Sequence, residues 1–296
     1  MLASCRSSSG GWVRNNCAFC AADGLTDKKL SWAYNLSSCV WHCKRCKRSG
    51  YNPEAKHATP RAAVEQAGKP DPRAEEATKP PEGFYLLDEE PARSSQVCQP
   101  ALAFLDKRGV TREIRERASI GVALGGRFFG RIIIPIFTDD GKGWLGYVAR
   151  SWVKKSTVPY LYPVGMDRGS LLYCVDENGK HRHRGEVVTQ ETFEPLWISE
   201  GAFDSYTFLP YEGAAVLGQP STWQMDLFRK ARRPIIFVLD GDARFHGWAL
   251  RQQLRLAALV QGSDTRYGAT FLPSGADPED VPLDELIAAG LASLTL

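Results

Sequence analysis

The last third of the chain is the part with the fewest ways to fold. From Pro195 onward, short apolar runs alternate with segments of helical periodicity. "PLWIS", "AAVLG", "PIIFVL" and "YGATFLP" have strand length. Between them lie "GAFDSYTFL", "STWQMDLFRKA" and "HGWALRQQLRLAALV", which repeat their apolar residues at helical spacing. The second of these opens with a capping box, Ser221 with Gln224. Strands separated by helices predict a mainly parallel sheet covered on both faces.

One of the strands carries chemistry. Ile235 to Leu239 is an unbroken apolar run that ends in Asp240-Gly241-Asp242. Two carboxylates so close each raise the cost of ionising the other. A hard divalent cation relieves that conflict, although Asp and Gly also form ordinary turns. The rest of the pattern favours the cation. In a parallel sheet Glu200 ends one strand, and Asp204 follows one helical turn later on the same face. Asp277, Glu279 and Asp280 follow the last strand in "LPSGADPED". Ligands of open α/β sheets collect at the carboxyl ends of the strands. Turn chemistry explains each motif singly but not their shared position.

The opposite end of the chain is built differently. Cys17 and Cys20 form "CAFC", and Cys43 and Cys46 form "CKRC", with 22 residues between the pairs. Two such knuckles complete a tetrahedral thiolate shell for one structural Zn²⁺ and leave no open position for chemistry. A core this small needs the metal to stand. Cys5, Cys39, Cys98 and Cys174 lack partners at ligand spacing and read as plain small residues. Residues 1–50 hold eight basic and two acidic side chains, whereas the whole chain carries only +3. A polyanion is the natural partner of this end, through Lys44, Arg45, Lys47 and Arg48 among others. Trp12, Trp32, Tyr34 and Trp41 interleave with the basic residues. They suit either stacking on exposed bases or packing around a small core.

Between the two ends, residues 52–83 nearly lack large apolar side chains and are rich in Pro, Ala, Lys and Glu, the composition of a flexible linker. Then "ALAFLDKRGVTREIRERASIGVAL" shows helical spacing with a stop and restart at Gly109 and Thr111. "GRIIIPIFTDDGKGWLGYVARSW" reads as a hairpin. The expected fold is therefore α/β. It has a β-rich zinc-binding head over 1–51, a linker over 52–83, an α+β segment over 84–193 and a parallel-sheet subdomain over 194–296. No apolar run approaches a membrane span, and "MLASCRSSSGGW" lacks the apolar core of a signal peptide, so a cytoplasmic protein is expected.

These motifs resemble those of a known family. "ISEGAFDSY", "FVLDGDA" and "LPSGADPEDV" are similar to the Glu, Asp-x-Asp and Asp-Pro motifs of the TOPRIM fold. "CAFC…WHCKRCKRSG" resembles the zinc ribbon of DnaG-type and phage primases. "ALAFLDKRGVTREI…SIGVAL" and "GRIIIPIFTDDGKGWLGYVAR" resemble the start and the basic subdomain of their polymerase domain. The motifs occur in the family's own order. The resemblance implies that Glu200, Asp240 and Asp242 hold catalytic Mg²⁺ or Mn²⁺, supported by Asp204, Asp277 and Glu279. It also implies that Arg131 and Arg150 touch template or nucleotide phosphates. Two positions depart from the pattern: Glu279 replaces the usual aspartate, and Pro159 stands where a lysine is common.

The implied function is that of a phage-type DNA primase, which makes short RNA primers from ribonucleoside triphosphates on single-stranded DNA. No Gly-x-x-x-x-Gly-Lys-Ser/Thr loop is present, so unwinding falls to a separate helicase. Two rivals share the acidic set: a metal-dependent TOPRIM nuclease, and a single-stranded-DNA-binding replication regulator.

Overall fold

The computed structural model describes residues 6–8, 12–17, 20–21, 30–35, 40–45, 49–51, 74–138, 140–153, 156, 158–181 and 184–294. Three five-stranded sheets follow one another along the chain. The first is an antiparallel meander of β1 (Arg6–Ser8), β2 (Trp12–Asn15), β3 (Trp32–Asn35), β4 (Val40–Cys43) and β5 (Ser49–Tyr51). Trp32, Tyr34 and Trp41 are buried here, with Trp32 stacked on both of the others. These three rings build the small core, and Trp12 is only half-buried, edge-on to His42.

Ordered packing resumes earlier than the composition predicts. Ala74–Thr78 forms a 3-10 helix within the segment expected to be linker, and Ala77 is buried. The Glu76 carboxylate accepts from the Val164 backbone N–H at 2.6 Å and pairs with Arg127 at 3.1 Å. One small apolar residue and one well-placed charge suffice to dock a segment whose mean composition is that of a tether.

The second sheet is antiparallel, in the order β10-β9-β8-β7-β6. Its strands are β6 (Phe84–Leu86), β7 (Gly121–Ala123), β8 (Arg131–Phe137), β9 (Trp144–Ser151) and β10 (Tyr160–Leu161). β8 and β9 are the expected hairpin. Between β6 and β7 run α1 (Gln99–Lys107) and α2 (Arg112–Arg117). Gly109 takes the left-handed φ of +70° between them, and the Thr111 hydroxyl caps α2 by accepting from the Ile114 N–H. Buried Arg115 fixes the corner with two hydrogen bonds to Asp88, at 2.8 and 2.9 Å, and one to Asp106 at 2.6 Å.

The third sheet runs β11-β13-β12-β14-β15, from β11 (Tyr173–Val175), β12 (Leu196–Ser199), β13 (Gly213–Ala215), β14 (Ile235–Val238) and β15 (Tyr267–Thr270). All its pairings are parallel except β11 with β13. Both faces are covered, as the alternation of strands and helices requires. Leu196, Ile198, Ile235 and Phe237 meet α4 (Thr222–Arg229) and α5 (Arg244–Gln261) through Phe228, Leu250 and Leu254. Trp197, Ile236 and Val238 meet α6 (Leu283–Ser293) through Leu286. A short helix, α3 (Arg184–Thr189), precedes β12. The capping box of α4 is present, with the Ser221 hydroxyl accepting from Gln224 N–H and the Gln224 side chain accepting from Ser221 N–H. "GAFDSYTFL" differs from expectation, forming the 3-10 helix Asp204–Phe208. Pro210 stands just beyond it, so an α-helix has no room to propagate. Among the described residues, no helix is long and apolar enough to cross a membrane.

Candidate active site

Glu200 follows the last residue of β12, and Asp240 and Asp242 follow β14. Because the two strands are parallel neighbours, their carboxyl ends emerge side by side. Gly241 explains how a third segment joins them. A Cβ there would sit 1.6 Å from the Pro273 carbonyl oxygen, and the Gly241 N–H donates to the Ala276 carbonyl at 2.8 Å. Glycine thus lets the Asp-Gly-Asp loop lie directly on residues 273–276, which carry Asp277 to the same edge.

The electrostatics record this convergence. Burial pushes the Glu200 carboxyl up to about 7, with further pressure from Asp240, Asp242 and Asp277. Burial and Asp240 raise Asp204 to about 7, against the opposing Gly201 N–H, which it accepts at 2.9 Å. Asp240 rises to about 6 through burial, Asp277 and Asp242. Glu279 is raised by burial but opposed by Arg108. All six expected acids therefore belong to one electrostatic cluster. Oε1 of Glu200 and Oδ1 of Asp240 are buried without a hydrogen-bond partner. Unsatisfied carboxylate oxygens facing like charge are costly in protein alone and suit a hard divalent cation.

Two residues beyond the sequence reading frame the cluster. Arg108, at the end of α1, forms an ion pair with Glu279 while lying over the Phe104 ring at 4.7 Å. Tyr160 is half-buried beside Asp204, and burial together with that carboxyl raises its hydroxyl's pKa. Arg150 lies 4.3 Å from the Tyr160 ring and 5.8 Å from Phe104, and its buried Nε has no acceptor. Nothing local in the sequence links these residues to the acids. Their signal exists only after the second and third sheets have packed.

Arg131 does not share this position. In the β8–β9 register Arg150 stands opposite Ile132, and Arg131 opposite Ser151, so the two arginines project from opposite faces. Arg131 donates to the Val158, Pro159 and Ala149 carbonyls at 2.9, 3.3 and 3.4 Å. Its guanidinium braces the β9–β10 connection.

In the first sheet, Cys17, Cys20 and Cys43 are buried, and their sulfurs lie within 4.8 Å of one another. The Cys20 and Cys43 sulfurs are 3.8 Å apart. Two sulfurs bound tetrahedrally at about 2.3 Å sit roughly 3.8 Å apart, so the spacing fits zinc. Burial and the neighbouring Cys17 and Cys43 push the Cys20 thiol up to about 12, a penalty that a bound cation reverses. The Arg45 N–H points to the Cys43 sulfur at 3.4 Å. Lys44 is exposed and Arg45 half-buried. Cys46, Lys47 and Arg48 lie outside the described residues.

No protein-family model matches the chain, and comparison with curated proteins finds no match. Solved structures do match. A DnaG primase catalytic domain bound to single-stranded DNA superposes with a TM-score of 0.52 at 22% identity, over 68% of this chain and 73% of that one. The DnaG catalytic core gives 0.51 at 23% identity, over 67% and 74%. A DNA primase domain from Pseudomonas aeruginosa gives 0.50 at 20% identity, over 70% and 74%. At these identities the likeness is one of fold: the chain shares the architecture of DnaG primase catalytic domains.

Proposed function

We propose that this protein is a DNA primase, a template-directed RNA polymerase that makes short primers from ribonucleoside triphosphates on single-stranded DNA. The observation that carries the reading is the buried acid cluster, with unpartnered Glu200 and Asp240 oxygens at adjacent strand ends, set in a DnaG-type fold. The third sheet with its acidic edge is the TOPRIM unit of this reading. Glu200, Asp240 and Asp242 would hold Mg²⁺ or Mn²⁺, with Asp204 and Asp277 behind them. The bound ions would supply Lewis-acid activation of the attacking 3′-hydroxyl and neutralise the leaving pyrophosphate.

The chain's own residues supply position and charge. Buried strands fix the acids, and Gly201 N–H orients Asp204. Arg150 is held between two aromatic rings beside the acids, which makes it the cation best placed to meet a triphosphate. Arg131 is left to its structural role. Arg108 holds Glu279 in an ion pair, so Glu279 is the acid least free to bind metal. In the head, Cys17, Cys20, Cys43 and Cys46 would hold structural zinc, and Lys44 with its basic neighbours would meet the template backbone. A separate helicase would open the duplex in the cytoplasm of a bacterium or a phage-infected host.

The test is incubation with single-stranded DNA, Mg²⁺ and labelled ribonucleotides. Short RNA products are expected, lost in Asp240→Ala while zinc content and single-stranded DNA binding persist. Shortened DNA with no RNA product would instead indicate a nuclease.

A further inference from the structure

A surface helix ordinarily turns a polar face to water. α5 exposes large apolar side chains there as well, beside Gln252, Gln253 and Arg255. Its inner side packs on the third sheet through Leu250, Leu254 and Ala258. On its outer side Trp248, Leu256, Leu259 and Val260 are 46, 63, 77 and 87% exposed. At 3.6 residues per turn, Trp248, Leu259 and Leu256 fall within about 80° of one another, and Val260 widens the stripe. Single exposed apolar residues are ordinary, but four on one side of a helix, interrupted only by Gln252, mark a surface that another molecule covers.

Charge selects the occupant. Residues 244–261 contain three arginines, Arg244, Arg251 and Arg255, and no aspartate or glutamate. Arg255 falls about 20° outside the stripe, beside Trp248. Arg251, on its flank, is only 7% exposed, and its Nε has no acceptor. A second copy docking α5 against α5 by two-fold symmetry would oppose these arginines with no carboxylate on either helix. A partner helix with an apolar stripe and acidic flanks satisfies both the apolar area and the cations. We propose that the outer face of α5 is a docking surface for such an amphipathic, acid-flanked helix of another protein. The proposal does not depend on the polymerase reading.

The full chain can be titrated into two fluorescein-labelled synthetic helices of about 20 residues, read by anisotropy. Both carry leucine at helical spacing; one has glutamate on its flanks and its twin has lysine at the same positions. The glutamate peptide should bind, with the twin at least about tenfold weaker. Leu256→Glu with Leu259→Glu should weaken binding at least about tenfold, leaving the melting temperature and any primer synthesis unchanged. Arg255→Glu, a change to one surface charge, should invert the preference between the peptides. Equal affinity for both peptides, or binding of neither, would overturn the proposal. So would a concentration-dependent dimer, or binding to phosphatidylglycerol vesicles, that the double variant abolishes. Loss of primer synthesis with intact peptide binding would bear on the polymerase reading alone.

Discussion

Three carboxyls of the acidic edge, Glu200, Asp204 and Asp240, lie at about 7, 7 and 6, against ordinary values of 4.5 for Glu and 3.8 for Asp. Between roughly pH 4 and 7 the folded state therefore holds protons that the unfolded chain releases. The resulting stability is fully present below about pH 4 and is lost as pH rises through the folded values. Metal-free protein should thus lose stability from pH 5 to pH 8, and Asp240→Asn should flatten that slope. Added Mg²⁺ should restore the wild type at pH 8 and do little at pH 5. Thermal melts at the two pH values, with and without Mg²⁺, check this; a slope unchanged by Asp240→Asn would remove Asp240 as a source. All six acids were legible in the sequence because each stands beside a strand end or a turn signal. Arg108 was not, since its partner Glu279 lies some 170 residues away and no periodicity spans such a gap.

Among the elements, the Asp-Gly-Asp loop and the loop ending in Asp277 act as one unit because Gly241 has no side chain. Gly241→Ala should destabilise the protein by about 1–3 kcal/mol through overpacking against Pro273. It should also weaken the stabilisation by Mg²⁺, since Asp277 must move away from Asp240; an unchanged melting curve would refute the close approach. At the cysteine knuckles, Cys43→Ser should lower zinc below one per chain and unfold the first sheet, as metal analysis and circular dichroism would report. Strands that alternate with helical segments, β12 and β14 above all, could be read from the sequence. β11 could not: the run Leu171–Val175 stands outside that alternation, and its pairing with β13 is set by tertiary packing. α6 was not expected from the sequence, and its role depends on Gly290 lying against Trp197, where a Cβ would come within 2.4 Å of the ring. Close approach of this kind has no local signature.

On the scale of the molecule, the β-rich, cysteine-bearing N-terminal region and the α/β character of the rest were legible in composition and cysteine spacing. The border of the body was not, because Ala74–Thr78 docks through one alanine and one carboxylate. A fragment starting at Ala74 should therefore melt several degrees higher than one starting at Phe84, which lacks the Glu76 contacts to Val164 and Arg127. Equal melting temperatures would make those contacts incidental. The order of the third sheet also has a consequence for synthesis on the ribosome. Glu200 emerges about 80 residues before Glu279, and β15 and α6, which seat the last acids, are made later than the strands they flank. At about 5–20 residues per second, the nascent chain spends roughly 4–16 s with Glu200 made and its acidic partners still arriving. A growing chain cannot assemble the acidic edge until Glu279 and the helix behind it have been made.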